Sequence, residues 1–306
     1  MLKNYDCIII GGGIAGLQAA IQLGRYKHNI LVIDSGHGRS SICRGYHNIL
    51  GWPDGVSGNE LRELGKKHAE KYGVEFIKDK AIELENHKDY FTVTGEVQGT
   101  FQTKTVFLAT GLVDRIPQLE NLGSCLGRSV YVCPDCDGYE VADKKTIVLG
   151  GGNTGAEAAL TLTYFTDDIV YINHDQKQMD DGLELKLKKR GIPIIWKKIA
   201  KVLIDDEENF NGVTLEDGGT ILAERGFTGF SGNKMNNELA IQAGVQLNER
   251  QHIATNPRTK ETSVTGIWSG GDLIAHSEQV TISMGDGSQA AIWIHKRLIG
   301  EKRIEE

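Results

Sequence analysis

Apolar residues along this chain fall into short unbroken runs that end in glycine and give way to a helical pattern. The run Cys7–Ile10 is apolar at every position, as a strand buried on both faces of a parallel sheet requires. Gly11, Gly12 and Gly13 interrupt it, a helical stretch follows, and a second apolar run closes at Asp34. The same order of strand, glycine turn, helix and strand returns from Thr146 to Asn173, around Gly150, Gly151 and Gly152 and an Ala-rich stretch. Two more strands end in glycine, one in Ala109, Thr110 and Gly111, the other in Gly271 and Asp272. Beyond the last, "EQVTISMGDGSQAAIWIHKRL" repeats its apolar residues at helical spacing. Strands alternating with helices predict an α/β fold.

The glycines carry the first chemical signal. Gly11, Gly13 and Gly16 fill the pattern G-x-G-x-x-G. The first permits the tight turn, the second lets backbone approach a pyrophosphate, and the third lets helix and strand pack closely. The helix start offers unpaired N–H groups and the positive end of its dipole to phosphates. Asp34 ends the second strand, where a carboxylate can accept hydrogen bonds from a ribose. With strand, helix and acid in place, the segment predicts a dinucleotide site rather than a structural turn. Gly150, Gly152 and Gly155 repeat the triplet, with Asn153 and Thr154 inside it. Two nucleotide sites are expected, FAD at the first and a nicotinamide cofactor at the second.

The two copies differ at one place. Aligning "NILVID" with "DIVYIN" puts Asn173 where the first copy has Asp34, so the acid that favours the free ribose of NAD is missing there. His174 and Asp175 follow, with no arginine to pair with the 2′-phosphate of NADP; Asp175 would repel that phosphate, and only Lys177 lies nearby. The donor is left open between NADPH and NADH.

Composition narrows the class further. A chain of 306 residues is long enough for two domains. A net charge of −7 argues against nucleic acid as a partner. No apolar run approaches the ~20 residues of a membrane span, and the start lacks the pattern of a secretory signal. The expected compartment is the cytoplasm, where a disulfide is more often catalytic than structural. The five cysteines, Cys7, Cys43, Cys125, Cys133 and Cys136, do not form a disulfide framework.

Cys133 and Cys136 lie in "VCPDCDGYE". A lone C-x-x-C provides two of the four ligands a structural zinc site needs, and no metal is expected. A purely structural disulfide here would close a very small loop. Thiol exchange fits best: at this spacing one cysteine attacks a disulfide and the other resolves the mixed intermediate.

In their order along the chain, the first G-x-G-x-x-G, "GWP" at Gly51 to Pro53, "ATG", C-x-x-C-D-G, the second G-x-G-x-x-G, and "GGD" with the following Gln279 resemble the low-molecular-weight thioredoxin reductase family of FAD-dependent disulfide oxidoreductases. The resemblance covers essentially the whole chain. It implies two Rossmann-like domains of the three-layer ββα type, the second inserted into the first: an FAD domain over 1–113 and 244–306, and a nicotinamide-binding domain over 114–243 carrying the cysteines. The FAD contacts it implies are Gly11, Gly13, Gly16, Asp34, Ala109, Thr110, Gly111, Gly271, Asp272, Gln279 and Val280; the segment 35–55 is unlike the family's Thr-rich flavin loop, although Asn48 within it could still face the isoalloxazine. At the second site it implies Gly150, Gly152, Asn153, Thr154 and Gly155. Cys136 matches the cysteine that takes electrons from the flavin, Cys133 the one that attacks substrate, and Asp137 the general acid and base. A thioredoxin-like protein or a small-molecule disulfide or dithiol is the implied partner, and a homodimer the implied assembly.

The chain also departs from that family. Pro134 and Asp135 replace an Ala-Thr pair between the cysteines, "NHD" at 173–175 replaces a His-Arg-Arg run, and Glu278 replaces an arginine ahead of Gln279. A carboxylate at Asp135 disfavours nearby thiolates, and Pro134 stiffens the turn. Related branches that do not use NADPH take electrons from ferredoxin, hold a second flavin, or pass electrons from a dithiol to oxygen. A flavin-binding redox sensor without turnover is a further alternative. Blander readings apply elsewhere: Asp272 as a helix N-cap, Asp137 as a turn residue, Cys43 as inert, Cys125 in a linker, Trp268 and Trp293 as core, and "ELKLKKRG" as a solvated helix end.

Overall fold

The computed structural model describes residues 2–305, the last five by backbone alone; Met1 and Glu306, the outer ends of the expected FAD domain, lie outside the described residues. By their internal contacts the described residues fall into two compact units. Among them, one comprises 2–41, 49–113 and 235–305, and the other 42–48 and 114–234. The second unit therefore ends at Lys234, earlier than the expected 243, and it takes in a short piece of the predicted flavin loop.

In the first unit, strand Asn4–Ile10 pairs in parallel with Ile30–Asp34 on one side and Gly99–Leu108 on the other, and Glu75–Lys78 extends the sheet. The long strand Gly99–Leu108 divides its partners. Its first half pairs antiparallel with Phe91–Gly95, and its last residues pair in parallel with Ile267–Ser269. Registers Ile10↔Leu108 and Leu108↔Ser269 align three strand ends. The turns that follow, at Gly11, Ala109 and Gly270, are thereby gathered at the carboxyl edge of the sheet, where open α/β sheets bind ligands.

The apolar runs show why both faces are covered. Cys7, Ile9, Ile30, Val32, Phe107 and Trp268 point to helices Ile14–Arg25 and Val280–Glu305, through Ala19, Leu23, Ala291 and Ile294. Their neighbours Ile8, Ile10, Leu31, Ile33 and Val106 point the other way, to Leu84, Phe91 and Val93 of the antiparallel strands. Successive strand residues face opposite sides, so an unbroken apolar run fills two interfaces. Trp268 is core, as expected, at 1% exposure.

The second unit repeats this plan. Its parallel sheet runs Val130–Tyr131, Arg225–Gly229, Thr146–Gly150, Ile169–Asn173, Ile194–Ile195. Val148, Tyr171 and Phe227 pack on helices Gly152–Leu162 and Asp181–Lys189. Ile147, Leu149 and Ile172 pack on the antiparallel strands Ile199–Ile204 and Phe210–Leu215. Each unit is thus a helix layer, a parallel sheet and an antiparallel layer, the ββα arrangement expected. The "ELKLKKRG" stretch ends a helix at Lys189, and Gly191 follows at φ +71°.

Candidate functional site

The first glycine turn is built by close approach. Gly11 has φ +107°, and a Cβ there would stand 2.3 Å from the Ala109 carbonyl oxygen. At Gly16 a Cβ would meet the Gly11 oxygen at 1.9 Å, whereas around Gly13 nothing lies within 4 Å. Backbone is therefore open to a ligand at the middle of the motif and closed elsewhere. Asp34 Oδ1 accepts the Gly12 N–H at 3.1 Å, and Arg62 donates from Nη2 to Asp34 Oδ2 at 2.8 Å. Arg62 rides on helix Gly58–Glu70, which Ser57 caps by accepting the Glu60 N–H. Sequence reasoning did not find Arg62, since no motif links it to Asp34.

The two glycine-ended strands close the same edge. Thr110 Oγ1 donates to the Asn236 carbonyl at 2.5 Å, and Asn236 Nδ2 donates back to the Thr110 carbonyl at 2.9 Å. That reciprocal pair fixes the stretch Ala109–Gly111, with Gly111 at φ +63°. Gly271 donates its N–H to Asp286 Oδ2 at 3.0 Å. Asp286 is buried and also holds His276 Nε2 at 2.6 Å and Lys260 Nζ at 2.8 Å. Burial raises the Asp286 carboxyl, but the bonds from His276, Lys260 and the Gly271 N–H outweigh it and leave the group below its ordinary value. The bond from Asp286 raises His276 above its ordinary value.

Asp272 is not a helix N-cap. It sits in a 3₁₀ turn, Gly271–Leu273, whereas the last helix begins at Val280, with the Gln279 carbonyl accepting the Ser283 N–H. Burial raises the Asp272 carboxyl, against the pull of Arg39, which pairs with both Asp272 and Glu278. Arg39 was also missed in sequence. The glutamate at 278, read as a departure from the family, is the partner of this arginine.

At the second turn, sheet register places Gly150 beside Asn173, so Asn173 occupies the position that Asp34 occupies in the first copy. Asn173 is fully buried; its Oδ1 accepts the Gly152 N–H at 3.1 Å and its Nδ2 donates to the Lys177 carbonyl at 2.7 Å. His174 turns into the fold, its Nδ1 accepting the Ile199 N–H at 2.9 Å. The structure places the carboxylate that the sequence reading notes at 175 and corrects that reading on the arginine. A carboxylate is present: Asp175 lies against Gly151, where a built Cβ would stand 2.6 Å from Asp175 Oδ2. An arginine is present too: Arg115 grips Asp175 through Nη1 at 2.7 Å and Nη2 at 3.0 Å, with Lys177 Nζ at 3.2 Å. The Arg115 bonds, chiefly, hold the Asp175 carboxyl below its ordinary range. Asn153 exchanges hydrogen bonds with Asp180, both 2.9 Å, Thr154 is half-buried, and Gly155 packs on the Tyr171 ring.

Cys133 and Cys136 form a disulfide with Cα atoms 5.2 Å apart. Cys133 caps the short helix Pro134–Asp137, and its carbonyl accepts the N–H groups of Cys136 at 3.1 Å and Asp137 at 2.9 Å. Pro134 stands at the first helical position, where its missing N–H costs nothing and its fixed φ suits the helix. Asp137 is thus the last residue of this helix, followed by Gly138. Both cysteines are partly exposed, as exchange chemistry needs. Arg44 donates its N–H to the Gly127 carbonyl at 3.0 Å within the second unit, to which residues 42–48, with the exposed Asn48, belong. His47 Nδ1 lies 3.1 Å from Glu140 Oε1. Burial pushes the Cys43 thiol up to about 12, with the charges of Asp137 and Glu140 adding to it. Cys7 is buried in its strand with its thiol also up at about 12, so neither is a nucleophile at neutral pH. Cys125 is not in a linker: it ends the short helix Leu122–Cys125, fully buried.

Among the described residues no cluster of three or more His, Cys, Asp or Glu could hold a metal ion, and no helix is long and apolar enough to cross a membrane. The first turn suits a flavin dinucleotide: open backbone at Gly13, a carboxylate at Asp34 held by Gly12 N–H and Arg62, and a half-buried carboxyl at Asp272.

Comparison with known proteins agrees with this geometry. The family described as pyridine nucleotide-disulphide oxidoreductase matches residues 5–287. A thioredoxin reductase of Aquifex aeolicus (strain VF5) is 27% identical, over 99% of this chain and 96% of its own length. The crystal structure of HlmI superposes with a TM-score of 0.89 at 29% identity, covering 99% of this chain and 95% of that one. The crystal structure of thioredoxin reductase from Streptococcus pyogenes MGAS5005 gives 0.88 at 25% identity, covering 98% and 100%.

Proposed function

The chain belongs to the pyridine nucleotide-disulphide oxidoreductase family, and we propose that Cys133 and Cys136 are the pair through which it exchanges electrons with a disulfide. It is a thioredoxin reductase-like flavoprotein disulfide oxidoreductase. The observation that carries the assignment is the Cys133–Cys136 disulfide on a partly exposed helical turn with a carboxylate at its end.

FAD, when bound, supplies or accepts the electron pair. Gly11, Gly13, Gly16, Asp34, Asp272, Gln279 and Val280 are the residues assigned to hold it, with Arg62 orienting Asp34. In the reducing direction, two electrons and two protons open the Cys133–Cys136 bond to the dithiol. Cys133 passes its proton to Asp137, and its thiolate attacks one substrate sulfur, forming a mixed disulfide and expelling the other sulfur as a thiolate. Asp137 in its acid form protonates that leaving group, as a carboxyl at this position can. The Cys136 thiolate then attacks the Cys133 sulfur, restoring the enzyme disulfide and freeing the second substrate thiol. With a dithiol as reductant the same steps run backwards.

The disulfide partner is thioredoxin-like. Ferredoxin as donor would be an alternative to a nicotinamide at the second turn. A homodimer and a reducing, cytoplasmic setting complete the reading, since the dithiol must persist between turnovers.

Anaerobic titration with dithiothreitol, followed by the flavin spectrum, tests the assignment. Wild type should bleach, while Cys136→Ser and Cys133→Ser should keep oxidised flavin. Bleaching of both variants at the wild-type rate would remove the cysteines from the pathway.

A further inference from the structure

The first glycine turn is an internal reference for reading the second. At the first, Asp34 presses on the middle glycine: a Cβ on Gly12 would stand 2.8 Å from Asp34 Oδ2, the oxygen that Arg62 holds. At the second, the residue in register with Asp34 serves the fold instead. Asn173 binds Gly152 N–H with one end of its amide and the Lys177 carbonyl with the other. These two bonds fold 173–177 into a tight turn, with Gln176 at φ +53°. The turn delivers Asp175 to the middle glycine, Gly151, the same station two residues later in sequence. A guanidinium again stands behind the carboxylate. Arg115 makes two bonds to Asp175 and is itself fixed by the Ser231 carbonyl at 3.3 Å and the Phe230 ring at 5.4 Å.

We propose that Asp175 makes the second turn selective for an adenosine ribose with a free 2′-hydroxyl, so that NADH rather than NADPH binds there, with Arg115 and Lys177 positioning the carboxylate. The proposal rests on the reading of this turn as a nicotinamide site and names its ligand. A carboxylate accepts hydrogen bonds from the ribose diol, whereas a 2′-phosphate would bring like charge against it. Two of the five N–H donors of Arg115 already hold Asp175, so a phosphate that used the others would still stand beside the carboxylate. Turning Arg115 wholly to a phosphate would leave Asp175, whose side chain is 9% exposed, with Lys177 alone. His174 brings the phosphate no cation, because its Nδ1 accepts the Ile199 N–H and burial lowers its pKa, which leaves a neutral ring with Nε2–H as its one donor.

Calorimetric titration of the oxidised holoenzyme with NAD⁺ and NADP⁺ tests this without turnover. Wild type should bind NAD⁺ at least about tenfold more tightly, the scale of one hydrogen bond to a charged group. Asp175→Asn keeps the shape and frees Arg115 and Lys177. It should weaken NAD⁺ by about tenfold and strengthen NADP⁺. Unchanged flavin content and a retained cooperative melt certify the variant's fold, and the wild-type ratio needs no variant at all. Tighter NADP⁺ binding by wild type, or a ratio that Asp175→Asn leaves unmoved, overturns the proposal. So does failure of both nucleotides to bind; if dithiothreitol still bleaches the flavin in that case, the disulfide chemistry stands and only the nucleotide assignment falls.

Discussion

Gly138 and Phe165 are in such close contact that a Cβ on Gly138 would stand 2.3 Å from a carbon of the Phe165 ring. The glycine after Asp137 is thus a packing requirement of the cysteine helix. Gly138→Ala should destabilise the protein by about 1–3 kcal/mol, the usual scale of overpacking. Adding Phe165→Leu should recover most of the loss. Urea unfolding of the three proteins checks this, and an alanine variant as stable as wild type would sink the packing argument.

Flavin retention should depend on Asp34 and its arginine. Asp34→Asn removes the charged acceptor at the first turn, and Arg62→Ala removes the group that orients it. Each should weaken FAD binding, the first by ~1.5–3 kcal/mol, about ten- to a hundredfold. Ultrafiltration of the diluted holoenzyme measures the released flavin, which should rise in the order wild type, Arg62→Ala, Asp34→Asn.

The His276–Asp286 pair makes a pH prediction with a definite sign. His276 has a folded pKa raised above 6.5, so its stabilisation is full below pH 6.5 and lost as pH rises through the folded value. Asp286 has a folded pKa lowered from 3.8, so its contribution is present above pH 3.8 and lost as pH falls through the folded value. Stability from this pair is therefore greatest between about pH 4 and 6.5 and declines on the alkaline side. Asp286→Asn should abolish the alkaline slope and cost about 3 kcal/mol at pH 6, because it leaves Lys260 and His276 without their carboxylate. Urea midpoints across pH 5–9 give both numbers, and an unchanged slope in the variant would assign the decline to other groups.

Trapping distinguishes the two cysteines. With Cys136→Ser, the mixed disulfide between Cys133 and a thioredoxin-like partner cannot be resolved and should accumulate as an adduct visible by mass spectrometry. With Cys133→Ser no such adduct should form. The reverse pattern would exchange the roles of the two thiols.

Sequence alone was enough for the devices that are local in the chain. Both glycine turns declare themselves because a tight turn, a close backbone approach and a helix start must lie within a few residues of one another. The cysteine pair is legible for the same reason: Cys133 and Cys136 meet within one helical turn whatever the rest of the fold does. Unbroken apolar runs such as Cys7–Ile10 announce parallel strands because both of their faces are buried.

What only the tertiary structure decided is which charges stand beside these devices. Arg115 reaches Asp175 across 60 positions of sequence, and Arg39 reaches Asp272 across 233. Residues so far apart meet through sheet register and helix packing, which no spacing or periodicity encodes. The second turn shows this most clearly. Alignment finds Asn173 in the acid's place and reads the acid as lost, yet the buried amide of Asn173 folds its own loop and presents Asp175 at the glycine instead.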